Sequence, residues 1–257
     1  MSAQEEQTWN EVKRKRGRLR HIFTPEVKEG TLSTTGMTPN PSPQFSVGEV
    51  GEHHRSVSQD WYASSCWLAL RDTLIAALSA RKRPVVTRAI CLGPGPYEPS
   101  NGSSSARRTA HMQTEAFRAV VNLLGSRQDG HAIDCIVQEP GFTQTDKHFC
   151  GELGLVVAET PAAFSMVDAN TLVFGIHLEL PTYHRALATL PAIFIGVGLE
   201  SWENKVDFDP SIKDLIGPLA VMDATYDKYS FPDFNYMFSS TTIYWRREDG
   251  SWPRTVC

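Results

Sequence analysis

The sequence predicts an α/β domain whose mostly parallel sheet carries helices on both faces. Three observations lead there. Apolar and β-branched runs at residues 85–92, 133–137, 155–158, 171–177 and 192–197 alternate with stretches of helical periodicity. That alternation implies right-handed crossovers between parallel strands. The 257 residues are 41% hydrophobic, enough for one domain with a real core and a tail. The run at residues 238–245 has strong β character and is a candidate antiparallel edge strand at the C-terminal end.

Taken in order, the chain opens with a basic run in which Lys13, Arg14, Lys15, Arg16, Arg18 and Arg20 supply six basic residues in eight. Such a run is a candidate nuclear-import signal or a contact for acidic partners. Residues 29–60 are rich in Gly, Ser, Thr, Pro and Gln, too poor in large apolar groups to offset their ordering entropy. Residues 1–59 therefore read as a disordered arm and linker, residues 60–247 as one α/β domain and residues 248–257 as a tail. Asp60 is the expected first N-cap, followed by Trp67, Leu70, Leu74, Ala77 and Leu78 at helical spacing until Arg81, Lys82, Arg83 and Pro84.

The first strand runs into Gly93-Pro94-Gly95-Pro96, and a helix should start at Ser103, Ser104 and Ser105. Its buried face is marked by Ala106, Ala110, Gln113, Phe117, Val120, Val121 and Leu124, and Gly125 closes it. The second strand delivers Gln138 and Glu139 at its end. A short helix with Phe142, Phe149 and Leu153 precedes the third strand, residues 182–190 form a helix between the fourth and fifth, and residues 211–216 form another short one. The aromatics Tyr226, Tyr229, Phe231, Phe234 and Tyr236 are expected in core and edge packing.

The ligand site expected from this pattern is the turn after the first strand. A strand ending in a glycine turn near a helix N-terminus presents unpaired N–H groups and partial positive charge, a seat for an anion. Gly93 and Gly95 match two positions of G-x-G-x-x-G, but Glu98 stands at the third, so the dinucleotide fingerprint is incomplete. Glu139 is the acid at the end of the second strand, where nucleotide folds hold a ribose, yet it lies 46 residues beyond Gly93, against the ~20 of the fingerprint. Two charge-assisted bonds at ~1.5–3 kcal/mol each give only about millimolar binding.

Other classes are disfavoured. A net charge of −4 argues against a broad nucleic-acid surface, and no specific nucleic-acid site is expected. No long apolar segment or signal region is present, so no membrane association is expected. Five scattered cysteines without a C-x-x-C pair read as reduced core thiols, and no metal is expected. G-x-S-x-G, H-E-x-x-H and the P-loop lysine are all missing.

Several pieces in order resemble the sensitivity-to-red-light-reduced family. These are Trp9 with the basic run, Cys91-Leu92-Gly93-Pro94-Gly95, residues 110–113, Glu139-Pro140-Gly141-Phe142, the strand ending in His177, and residues 238–245. Glu139 replaces the family's Asp, and the Pro and Cys flanking its strand histidine are replaced by Ile176 and Leu178. The resemblance implies a Rossmann-like domain in a regulatory protein of the nucleus or cytoplasm, tied to light or circadian responses in plants and to haem-linked regulation elsewhere. It brings no established reaction, and it marks His177 as a further candidate.

Two functions are thus carried forward. One is a regulatory module with protein partners and a small anionic or nucleotide-like ligand at Gly93, Gly95, Ser103, Ser104, Ser105, Glu139 and His177. The other is a methyltransferase-like enzyme holding S-adenosylmethionine with Gly93, Gly95 and Glu139; haem contact through His177 or a cysteine is a third possibility.

Overall fold

A computed structural model describes residues 38–128, 132–206 and 209–247. The basic run of Lys13, Arg14, Lys15 and Arg16, and the tail at 248–257, lie outside the described residues.

The seven strands are β1 (Arg88–Leu92), β2 (Asp134–Gln138), β3 (Val156–Val157), β4 (Thr171–Gly175), β5 (Ile193–Val197), β6 (Asp227–Ser230) and β7 (Thr241–Trp245). They form one sheet in the order β3-β2-β1-β4-β5-β7-β6. The first five are mutually parallel, and β7 runs antiparallel between β5 and β6. The antiparallel addition expected at the C-terminal end is present, but β6 lies outside it as the actual edge. Four residues alternating Asp, Lys, Tyr, Ser, half-buried and exposed in turn, gave too weak a signal to be read as a strand.

Helices cover both faces. On one side α1 (Val47–Ala63), α2 (Ser65–Ala80), α3 (Ser104–Gly125) and α4 (Gln144–Glu152) enclose a core that includes Trp61, Leu70, Phe117 and Phe174. On the other, α5 (Leu180–Ala186), α6 (Glu200–Val206) and α7 (Gly217–Thr225) enclose Ile90, Val173, Tyr183 and Phe194. Strand order reverses between β1 and β4, so the sheet's crevice opens beyond the C-terminal ends of those two strands.

The N-terminal boundary differs from the sequence expectation. Asp60 is not an N-cap but lies within α1, and residues 47–59 are helix rather than linker. Ser46 starts α1 with a capping box: its Oγ accepts from the Glu49 amide, and Glu49 Oε2 accepts from the Ser46 amide at 2.7 Å. Only Val50, His54, Val57 and Trp61 of α1 are buried. A stripe with a histidine in it, on an otherwise polar helix, does not read as a core face. Ser64 then ends α1 and caps α2, its hydroxyl accepting from Trp67 N at 3.0 Å.

Candidate functional site

Immediately after β1 the chain turns through Gly93 at φ 62° and Gly95 at φ 90°. Gly93 N donates to Gln138 O at 2.9 Å, extending the β1–β2 pairing by one step. The left-handed φ at Gly93 suits glycine, and a methyl group there would also overlap Leu178 Cδ2. One at Gly175 would stand 2.7 Å from Leu178 Cδ1. Leu178 therefore fills the space between the ends of β1 and β4, where a doubly wound sheet takes its ligand.

Glu139, one residue past β2, is on the same rim. Its Oε2 accepts from Gly95 N at 3.0 Å and its Oε1 from Gly141 N at 2.7 Å. The residue is buried, and burial pushes its carboxyl above the ordinary range in spite of the two amide donors and with help from Asp146. Glu139 is thus a strut joining the β1 and β2 loops.

The other expected residues have partners elsewhere or face solvent. Ser103 caps α3, its Oγ accepting from Ala106 N at 3.1 Å, while Ser104 and Ser105 are exposed in the first turn. Residues 96–102 separate them from the glycine turn. His177 lies past the end of β4, exposed, at φ 53°, and its Nε2 donates to Ser239 O at 2.8 Å. A residue not among the expected ligand-site residues ties this edge together: the buried Tyr183 hydroxyl donates to Gly175 O at 2.8 Å and accepts from Leu178 N and Val197 N, both at 3.2 Å. Burial pushes that phenol up to about 12, so it stays protonated. It pins the ends of β4 and β5 together.

The excursion at 96–102 anchors α1. Tyr97 is fully buried and stacks on His111 with ring centroids 4.7 Å apart. Glu98 accepts from Gln44 N at 2.7 Å and Phe45 N at 3.0 Å, tying down the strap that leads into α1. Behind it runs a buried polar line. Arg118 Nη1 donates to Glu115 Oε2 at 2.7 Å, His54 Nε2 lies 2.8 Å from the same oxygen, and His54 Nδ1 lies 3.3 Å from His111 Nδ1. Burial, with the neighbouring His54, His53 and Arg107, drives His111 down to about 3, so it is neutral. For Glu115, burial acts upward, but His54 and Arg118 outweigh it and hold the carboxyl below its usual range. Among the described residues His111 Nε2 has no hydrogen-bond partner. Sequence reading missed this line because His54 lay in the supposed linker.

On the outer side of the strap is a recess of about 410 Å³, bounded by residues 40–45, the loop containing Glu98 and Gly102, and Arg107 of α3. Cys66, Cys91 and Cys150 are buried free thiols, and burial raises all three well above a thiol's ordinary range. Among the described residues no His, Cys, Asp and Glu side chains cluster so as to hold a metal ion. None of their helices is long and apolar enough to cross a membrane.

No curated protein matches the chain. Among solved structures, a putative S-adenosyl-L-methionine-dependent methyltransferase of Methanococcus maripaludis is similar at 9% identity and TM-score 0.35, over 83% of this chain and 98% of that one. A Thermoplasma acidophilum protein is similar at 12% and 0.32, over 80% and 99%. A chain in the complex of the Haloferax volcanii Trm112 methyltransferase activator with a putative methyltransferase gives 12% and 0.31, over 73% and 96%. Residues 66–245 match the family described as the SRR1 domain.

Proposed function

The chain belongs to the SRR1 domain family, and from that premise we propose that it is a regulatory domain that binds a small anionic or nucleotide-like ligand beside the β1–α3 loop, relays that state to protein partners and performs no chemistry itself. The observation that carries this reading is Glu139. The carboxylate that would face a cofactor's hydroxyl pair instead bonds Gly95 N and Gly141 N, while Leu178 occupies the adjoining crevice. Glu139 is held by the protein's own amides rather than aimed at open space, which favours recognition over catalysis.

The methyltransferase-like alternative requires Glu139 released toward an adenosyl cofactor. Calorimetric titration with S-adenosylmethionine and with nicotinamide dinucleotides separates the two. The proposal expects no cofactor binding that depends on Glu139; heat with S-adenosylmethionine that Glu139→Ala abolishes would favour the methyltransferase-like alternative instead. Haem ligation through His177 Nε2 would have to break its bond to Ser239 O, whereas ligation through Nδ1 would leave it in place; a Soret change in haem-incubated protein that His177→Ala removes would establish that contact, and none is expected in this reading.

Within this reading Lys13, Arg14, Lys15 and Arg16 direct the protein to the nucleus from the cytoplasm, in keeping with the family's link to light and circadian regulation. Replacing the four by alanine should abolish nuclear accumulation, and unchanged localisation would remove that part of the proposal.

A further inference from the structure

Resting on the regulatory reading above, we infer that the recess beside the first turn of α3 is the ligand's seat, and that it takes a phosphomonoester of about mononucleotide size. Its volume of about 410 Å³ falls in the range of small-molecule sites. Its charge comes from Arg107. Of the arginines on α3, Arg108 pairs with Asp60 at 2.8 Å and Arg118 with Glu115 at 2.7 Å. Arg107 has no carboxylate partner among the described residues, and its guanidinium is instead laid over the Phe45 ring, 4.9 Å from the centroid. A stacked guanidinium is held in place with its N–H fork unspent, which suits bidentate contact with a phosphoryl group.

The one acid in the recess wall is directed at the strap rather than at Arg107, although its charge stays in the wall. Glu98 is buried, its two oxygens are taken by Gln44 N and Phe45 N, and it forms no ion pair with Arg107. Its role is to fix the strap that carries Phe45. The remaining walls include Pro41 and Pro99, apolar surfaces for the organic part of the ligand, and Gly102, at φ 66°, where a side chain would meet no neighbour within 4 Å. Arg107 also belongs to the N-terminal end of a 22-residue helix, where the aligned peptide dipoles favour a doubly charged anion over a neutral group.

The test is calorimetric titration of the full chain with adenosine monophosphate, inorganic phosphate and adenosine. Adenosine monophosphate should bind more tightly than phosphate, and adenosine should give no heat. Arg107→Ala should weaken adenosine monophosphate about ten- to a hundredfold, the loss of one charge-assisted bidentate contact. Arg107→Lys should recover part of the loss. Ser100→Trp, which fills the recess from its exposed rim without altering Arg107, should weaken binding as well, and thermal melts of each variant confirm folding. Undiminished affinity in both folded Arg107→Ala and Ser100→Trp, or no heat with either phosphate-bearing probe at millimolar concentration, overturns the inference. The regulatory reading fails separately, through the Glu139-dependent binding of S-adenosylmethionine described above.

Discussion

Glu139 Oε2 accepts a hydrogen bond from Gly95 N at 3.0 Å, so the acid at the end of β2 closes the turn after β1. With Gly141 N on its other oxygen, this side chain decides whether the rim is a fixed edge or an open cofactor site.

Removing the strut leaves two amides without acceptors in a buried place. Glu139→Ala is expected to cost roughly 2–4 kcal/mol, since an unsatisfied buried donor costs about 1–3 kcal/mol. Glu139→Gln keeps one carbonyl acceptor and should cost less. Urea denaturation at pH 7 checks the order of the two variants.

Gly93→Ala meets a double obstacle, a left-handed φ of 62° and the Leu178 side chain above it. A loss of at least about 1–2 kcal/mol is expected, and Leu178→Ala in the same chain should relieve only the steric part. A double-mutant cycle in thermal unfolding measures that coupling.

The Tyr97–His111 stack supplies a pH dependence. His111 sits near 3 when folded, below its ordinary 6.5. Between those values the unfolded chain takes up a proton that the folded one refuses. The stability gained by keeping His111 neutral is therefore whole above pH 6.5 and falls as pH drops toward 3. His111→Phe preserves the ring on Tyr97 but cannot titrate. Denaturation midpoints from pH 7 to pH 4 should fall less steeply in that variant, and equal slopes would sink the assignment.

The domain boundary yields a truncation test. Trp61 is fully buried against Phe238, ring centroids 5.8 Å apart. Its replacement by Ala should cost about 3–5 kcal/mol. A fragment of residues 38–247 should unfold cooperatively, whereas one of residues 60–247, lacking most of α1, should be strongly destabilised or aggregate. Equal melting temperatures would contradict the placement of α1 in the core.

The parallel strands were legible because residues 89–92, 172–176 and 193–195 are buried on both faces and so carry unbroken apolar runs. Gly95 and Glu139 meet because the loops that carry them follow the adjacent strands β1 and β2. What sequence did not disclose is how the rim side chains are used. Nothing in the residue types tells whether Glu139 faces a ligand or its own backbone, because that depends on loop path. α1 escaped because its buried stripe includes His54, whose partner Glu115 lies 61 residues away. The recess escaped for the same reason: Phe45 and Arg107 meet only after α1 docks on α3.

The most direct measurement is residue-resolved amide hydrogen exchange at Gly95 and Gly141 in the free protein. A rim closed by Glu139 predicts that both amides are protected and that both lose protection together in Glu139→Ala. Rapid exchange at both positions in the unsubstituted chain would mean that the carboxylate is free to meet a cofactor, and would contradict the account.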